Sequence, residues 1–204
     1  MAFLRKMKSA VTRVRQDPGT ENTGKYSDEV AAVRERRTEL ARLDDAAVLD
    51  LAGGIASRAS AGEAGLIELL ALESETYRRT IGLDPFDVQI LAALNMLRGT
   101  VVNMATGEGK TLVGHLVACG LALQSRQVQV LSANTYLANR DAEWGKPFFD
   151  AFGLSVTSAT DSMSDDERRA AYRANIVYTT VHQVGFDLLR DRQRTSDDQL
   201  LIPV

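Results

Sequence analysis

Apolar positions recur with the 3.6-residue period of amphipathic helices through the first 80 residues or so, then shift to short runs alternating with helical stretches. Phe3, Leu4, Met7, Val11 and Val14 share one helical face, and the turn formers from Asp17 to Gly24 read as a linker. Val30, Val33, Leu40 and Leu43, then Val48, Leu49, Leu51 and Ile55, and later Leu66, Leu69, Leu70 and Tyr77 predict two or three helices. Gly53-Gly54 and the stretch from Gly62 to Gly65 punctuate them. Beyond Asp84, which is placed to cap a helix with Pro85 in its first turn, the pattern predicts a helix to about Leu97.

Four strands are expected next, each followed by a helix. Thr100 to Asn103 leads into a glycine loop and a long apolar helix ending near Gln124, and Gln127 to Ser132 precedes a helix from Asn134 to Phe152. Leu154 to Ser158 precedes a helix opened by Ser164 with Glu167 three residues on, a capping-box pattern. Asn175 to Thr179 precedes a helix from about Val181 to Arg190. Alternating strands and helices without hairpin turns predict an α/β fold with parallel pairing and right-handed crossovers.

Composition changes this picture little, and charge placement changes it more. The chain of 204 residues has 45% apolar residues and a net charge of −3, an ordinary globular balance that excludes disorder. A single cysteine excludes a disulfide scaffold, and no apolar run reaches the roughly 18 residues of a membrane span. Residues 1–16 carry five basic side chains and no acid, whereas the rest has 19 basic against 27 acidic residues, a net −8. A basic amphipathic helix either lies on an anionic membrane surface or membrane partner, or packs on the protein's own body.

The chemistry concentrates in Gly107, Glu108, Gly109, Lys110 and Thr111, between a predicted strand and a predicted helix. Amides of a glycine loop and a helix N-terminus converge on phosphate oxygens, a lysine adds a point charge near the β- and γ-phosphates, and a Thr hydroxyl joins the shell of Mg²⁺. Met104 stands where the strict phosphate-loop pattern has glycine.

Four ordered blocks resemble SecA, the ATPase motor of bacterial protein export: Pro85-Phe86-Asp87-Val88-Gln89, Met104 to Thr111, Asn134 to Trp144, and Gly185 to Asp191. Ala105 stands where the housekeeping protein usually has Lys or Arg, which looks more like the accessory SecA of actinobacteria. The resemblance implies a RecA-like phosphate-loop fold, a three-layer parallel sheet with helices on both faces, preceded by a helical segment. With the residue pattern, which gives a basic amphipathic helix (1–16), a linker (17–27) and a helical support (28–83), the resemblance implies that 84–204 is the first nucleotide-binding domain. Phe86, Gln89, Gly107, Glu108, Gly109, Lys110 and Thr111 would bind ATP, with Gln89 at the adenine edge; Lys110 and Thr111 would be catalytic and Thr111 would meet Mg²⁺. Implied partners are the SecY channel and preproteins, with a parent able to pair with itself, no nucleic acid, and a cytoplasmic location peripheral on the inner face of the bacterial cell membrane; residues 1–16 are expected to meet an anionic membrane surface.

Two departures limit the transfer. Thr180-Val181-His182-Gln183 replaces the family's Thr-Asn-Asn-Glu, and the acidic Asp-Glu-Ala-Asp block occurs nowhere in the 204 residues. The parent is therefore expected to be a protein-translocating ATPase, and this chain to bind nucleotide without hydrolysing it by itself. Alternatives are the RecA-like domain of a nucleic-acid helicase, disfavoured by the absence of a basic excess in the strand–helix region, and a non-catalytic membrane-partner module. His115 and His182 are expected to be structural or surface residues, Trp144 and Tyr136 core anchors, and Arg140, Asp141 and Glu143 an ion-pair network.

Overall fold

The computed structural model describes residues 26–55, 62–124, 127–196 and 199–203. The predicted helix over 1–16 and most of the predicted linker lie outside the described residues.

Three helices come first: α1 (Ser27–Leu40), α2 (Asp45–Gly54) and α3 (Gly62–Ile81). Asp44 caps α2 by accepting the Ala47 N–H at 2.8 Å. Gly62 and Gly65, expected as punctuation, instead lie in the first turn of α3, whose apolar periodicity outweighs their helix cost. α3 is the interior element of this part, packing on α1, α2 and three later helices, and residues 69–77 of it are all buried. Its far end is fixed by ions. The buried Glu75 carboxylate accepts from Arg78 (2.6 Å) and Arg79 (2.7 Å), and Arg79 also donates to the Leu43 carbonyl at 2.8 Å. Burial would raise the Glu75 pKa, but the two guanidiniums bring it below the ordinary value.

α4 (Asp87–Leu97) begins later than predicted. Asp84 is not its cap, because its carboxylate is drawn into an ion pair with Arg37 of α1. The N-cap is Phe86, whose N–H is accepted by Gln89 Oε1 at 3.0 Å, one half of a capping box.

Thr100 to Asn103 forms no strand: no ladder partner exists for it among the described residues. It keeps the alternation of an extended segment, with Val101 93% exposed and Val102 half-buried against the core. A strand is defined by a paired neighbour, which local sequence does not supply.

The remainder follows the predicted alternation: α5 (Lys110–Leu123), β1 (Val128–Ser132), α6 (Thr135–Ala151), β2 (Val156–Ser158), α7 (Asp165–Ala171), β3 (Ile176–Thr180) and α8 (Val181–Asp191). Asn134 caps α6 through the Leu137 N–H (2.8 Å), and the Ser164–Glu167 capping box forms in full. The three strands pair parallel in the order β1-β3-β2, with Val128 and Val156 flanking Ile176. β3 is thus central, and its first four residues are buried. The molecule is α/β with a small parallel sheet. One apolar core runs from Val30 in α1 to Tyr178 in β3, so the helical part and the sheet share an interior.

The large aromatic anchors of that core are Tyr77, Phe148, Phe149 and Tyr178, while Tyr172 anchors a smaller cluster with Ala159, Ala171, Val177 and Leu201. Trp144 and Tyr136 are not among them. Tyr136 is 71% exposed on the first turn of α6, and Trp144 sits at the core margin with its edge on His115. Both lie on α6, whose inward face is already filled by Ala138, Ala142, Phe148 and Phe149.

Candidate nucleotide-binding site

The loop from Ala105 to Gly109 turns an extended segment into α5. Gly107 (φ 89°) and Gly109 (φ 80°) both take left-handed conformations that side chains disfavour, and Gly109 is the N-cap of α5. Around Gly107 no atom lies within 4 Å of where a Cβ would stand, so that backbone is open to close approach. Among the described residues, the Gly107 and Gly109 amides have no hydrogen-bond acceptor, and the first-turn amides of α5 have none within the helix. Unsatisfied donors and the positive end of a helix dipole therefore meet at one place.

Lys110 Nζ donates to the Ala105 carbonyl at 2.8 Å, closing the loop across its own mouth. Lys110 and Thr111 also line a hollow of about 300 Å³ with Gly114, β1 residues Val130 and Leu131, and Asp141 and Tyr178. Tyr178 escaped sequence reading, and the sequence predicts Asp141 in an ion-pair network and not at this hollow, because they reach it from β3 and α6. Asp141 is paired with Arg140 at 2.6 Å, while Glu143 is exposed with no ion pair among the described residues. The buried Tyr178 hydroxyl has no hydrogen-bond partner among the described residues.

Gln89 is brought to this loop from α4. Its Nε2 donates to the Glu108 carbonyl at 2.9 Å while Oε1 serves the Phe86 N–H, so one buried amide joins the α4 cap to the loop. A Cβ on Gly109 would stand 2.3 Å from Gln89 Nε2, so any other residue there would have to displace the Gln89 amide as well as adopt a left-handed conformation. A second hollow of about 510 Å³ lies at the start of α4, lined by Arg34, Arg37, Asp84, Phe86, Asp87 and Val88. Phe86 is 71% exposed there. Of the seven predicted binding residues, Phe86 lines this second hollow, Lys110 and Thr111 line the first, and the buried Gln89 is hydrogen-bonded to both Phe86 and the loop that holds Gly107, Glu108 and Gly109. His182 is exposed on α8, apart from the residues of either hollow, whereas His115 is fully buried.

Among the described residues, no three His, Cys, Asp or Glu side chains cluster as metal ligands. Nor is any described helix long and apolar enough to cross a membrane.

The SecA DEAD-like domain matches residues 11–203. The chain belongs to the SecA family. It is 41% identical over 198 residues to protein translocase subunit SecA 2 of Thermobifida fusca, covering 97% of this chain and 26% of that protein. SecA 2 of Mycolicibacterium smegmatis is 44% identical over 182 residues (89% of this chain, 23% of that one). SecA 3 of Mycolicibacterium vanbaalenii is 52% identical over 136 residues (67% and 17%). These relatives agree with the resemblance to an accessory SecA, and neither the helicase nor the non-catalytic reading draws support from them. The SecA-type chain spans about a quarter of the length of the curated relatives it matches most fully.

Proposed function

We propose that these residues are the nucleotide-gripping part of a SecA-type motor, with a RecA-like domain over 84–204 supported by the helices of 28–83. The observation that carries this reading is the loop itself. Two left-handed glycines leave free amides at the start of α5, whose first residues, Lys110 and Thr111, line a hollow. Those residues fit a triphosphate: amides and the Lys110 ammonium would hold the terminal oxygens, and the Thr111 hydroxyl would join a Mg²⁺ shell. A magnesium site of this kind needs only one or two protein ligands beside phosphate and water, so it requires no carboxylate cluster. Mg²⁺ would neutralise charge on the phosphates when bound. Phe86, beside the second hollow, suits stacking on a base. Gln89, with Phe86 N–H and Glu108 O already satisfied, keeps one N–H and one lone pair for the adenine edge.

Lys110 would leave the Ala105 carbonyl for the phosphates, replacing a neutral acceptor with an anionic one. Positioning without an acidic block or a second domain's arginines holds the ground state and leaves the transition state unsupported. ATP binding and hydrolysis in the parent would drive preproteins through the SecY channel, with residues 1–16 on the inner membrane surface and the parent able to pair with itself.

Calorimetry of the 204-residue chain with ADP and Mg²⁺ tests the reading. Measurable binding that weakens at least about tenfold in Lys110→Ala, roughly 1.4 kcal/mol, supports it. No heat at millimolar nucleotide, or equal affinity in Lys110→Ala, overturns it. Phosphate release above about one per minute, lost in Lys110→Ala, would contradict the half-site argument, since complete enzymes commonly run at 1 to 1,000 per second.

A further inference from the structure

α3 and α5 lie antiparallel, and their contacts step along both helices together. Tyr77 meets His115, Glu73 meets Cys119 one turn on, and Leu69 reaches Gly120, where an added Cβ would come within 3.3 Å of its side chain. The first rung is the best made. His115 is fully buried, with Nδ1 accepting from Tyr77 Oη at 2.9 Å and Nε2–H donating to the Asp141 carbonyl of α6 at 3.0 Å. Both ring nitrogens are used, which fixes the neutral Nε2–H tautomer. Burial lowers the His115 pKa to about 4, so this form holds at neutral pH. α6 makes room for the ring with Gly145, where a Cβ would lie 2.9 Å from His115 Nε2. Trp144, Phe149 and Tyr178 meet the ring edge to face at 5.4 to 6.1 Å.

A leucine would satisfy an apolar helix at this position. A fully bonded imidazole specifies more, because a buried polar network has only one arrangement in which every partner is served. His115 stands on the same helix as Lys110 and Thr111, and the residue whose carbonyl it holds, Asp141, lines their hollow from the other side. One ring thus references both walls of the hollow to α3. We propose that His115 is a positioning residue that, through Tyr77 and Asp141, sets where the phosphate loop and α6 stand relative to each other. The inference rests on the proposed nucleotide site for its purpose, though not for its first measurement.

The test uses the full chain and two readouts: amide exchange of residues 107–114 without nucleotide, and calorimetric affinity for ADP with Mg²⁺. Tyr77→Phe removes one donor at constant shape, and His115→Leu removes both bonds. Each is expected to speed exchange in the loop and first turn of α5 by about threefold to tenfold and to weaken ADP by a similar factor. His115→Gln, whose amide N–H can still reach the Asp141 carbonyl, should restore most of the protection. Leu40→Ala in α1, brought to the same fall in melting temperature, should leave the loop unchanged. The inference is overturned if Tyr77→Phe and His115→Leu leave loop exchange at the wild-type level, or if Leu40→Ala loosens the loop equally. Loop exchange that responds as expected in a chain that does not bind ADP would sink the nucleotide reading and leave the positioning role standing.

Discussion

Two fully buried carboxyls, Asp187 in α8 and Glu73 in α3, receive opposite treatment from their surroundings. Asp187 Oδ2 accepts from Tyr172 Oη (2.9 Å) and Gln183 Nε2 (2.8 Å), and Oδ1 accepts from Arg190 (3.0 Å), with Arg168 at 3.5 Å. Neither Glu73 oxygen has a hydrogen-bond partner among the described residues that meets ordinary geometry; its polar neighbour is the Cys119 thiol. Burial therefore pushes the Glu73 carboxyl well above its ordinary value, and the Cys119 thiol upward with it. Donors, and not depth, decide whether an interior acid is a clamp or a burden. α8 shows the consequence for a whole helix. Its buried side chains are the bonded Gln183 and Asp187, with Val184 half-buried beside them, while Val181, Phe186, Leu188 and Leu189 are exposed.

The contrast can be broken most forcefully at Asp187. Asp187→Leu should cost about 3 to 5 kcal/mol in denaturant unfolding, since it leaves the buried donors of Tyr172 and Gln183 unserved and takes from the buried Arg168 one of its two carboxylates, the other being Asp165. A loss below about 1 kcal/mol would remove the distinction. Glu73→Met should act the other way and stabilise the chain by about 1 to 3 kcal/mol at pH 7, by deleting an unserved carboxyl. The sign with pH follows from the raised folded pKa. Wild-type stability from this group is complete below the ordinary value of 4.5 and is lost as pH climbs toward the folded value, where the unfolded chain ionises first. The gain in Glu73→Met should therefore be larger at pH 8 than at pH 4, and a pH-independent difference would refute the assignment. Tyr172→Phe should cost about 1 kcal/mol, the worth of one donor to Asp187, in the same unfolding series. Arg190→Ala should cost least, about 0.5 kcal/mol, because its side chain is half exposed and water screens the pair.

What could be read from the sequence was what short stretches decide for themselves. β1 and β3, the long apolar α5, and the Ser164–Glu167 box depend on alternation, period and a cap three residues away, and all appear where expected. The misreadings share a non-local cause. Asp84 is claimed by Arg37 from another helix, so α4 starts at Gln89's command instead. Thr100 to Asn103 has strand chemistry without a partner. Trp144 is large and apolar, but smaller neighbours and two phenylalanines already occupy the inner face of α6. For the candidate site, the glycines, Lys110 and Thr111 announce themselves by type and order. The hydrogen bond from Gln89 to the Glu108 carbonyl spans 19 positions, and Asp141, Tyr178 and the two bonds of His115 come from elements that no spacing rule joins.

The bare Cα of Gly109 reaches further than its own turn. One methyl group added there would evict the Gln89 amide, which would release the Glu108 carbonyl behind it and the Phe86 N–H before it. Two sequence blocks that look like independent signatures are in this respect a single mechanical joint, and a change in either should be heard in the other.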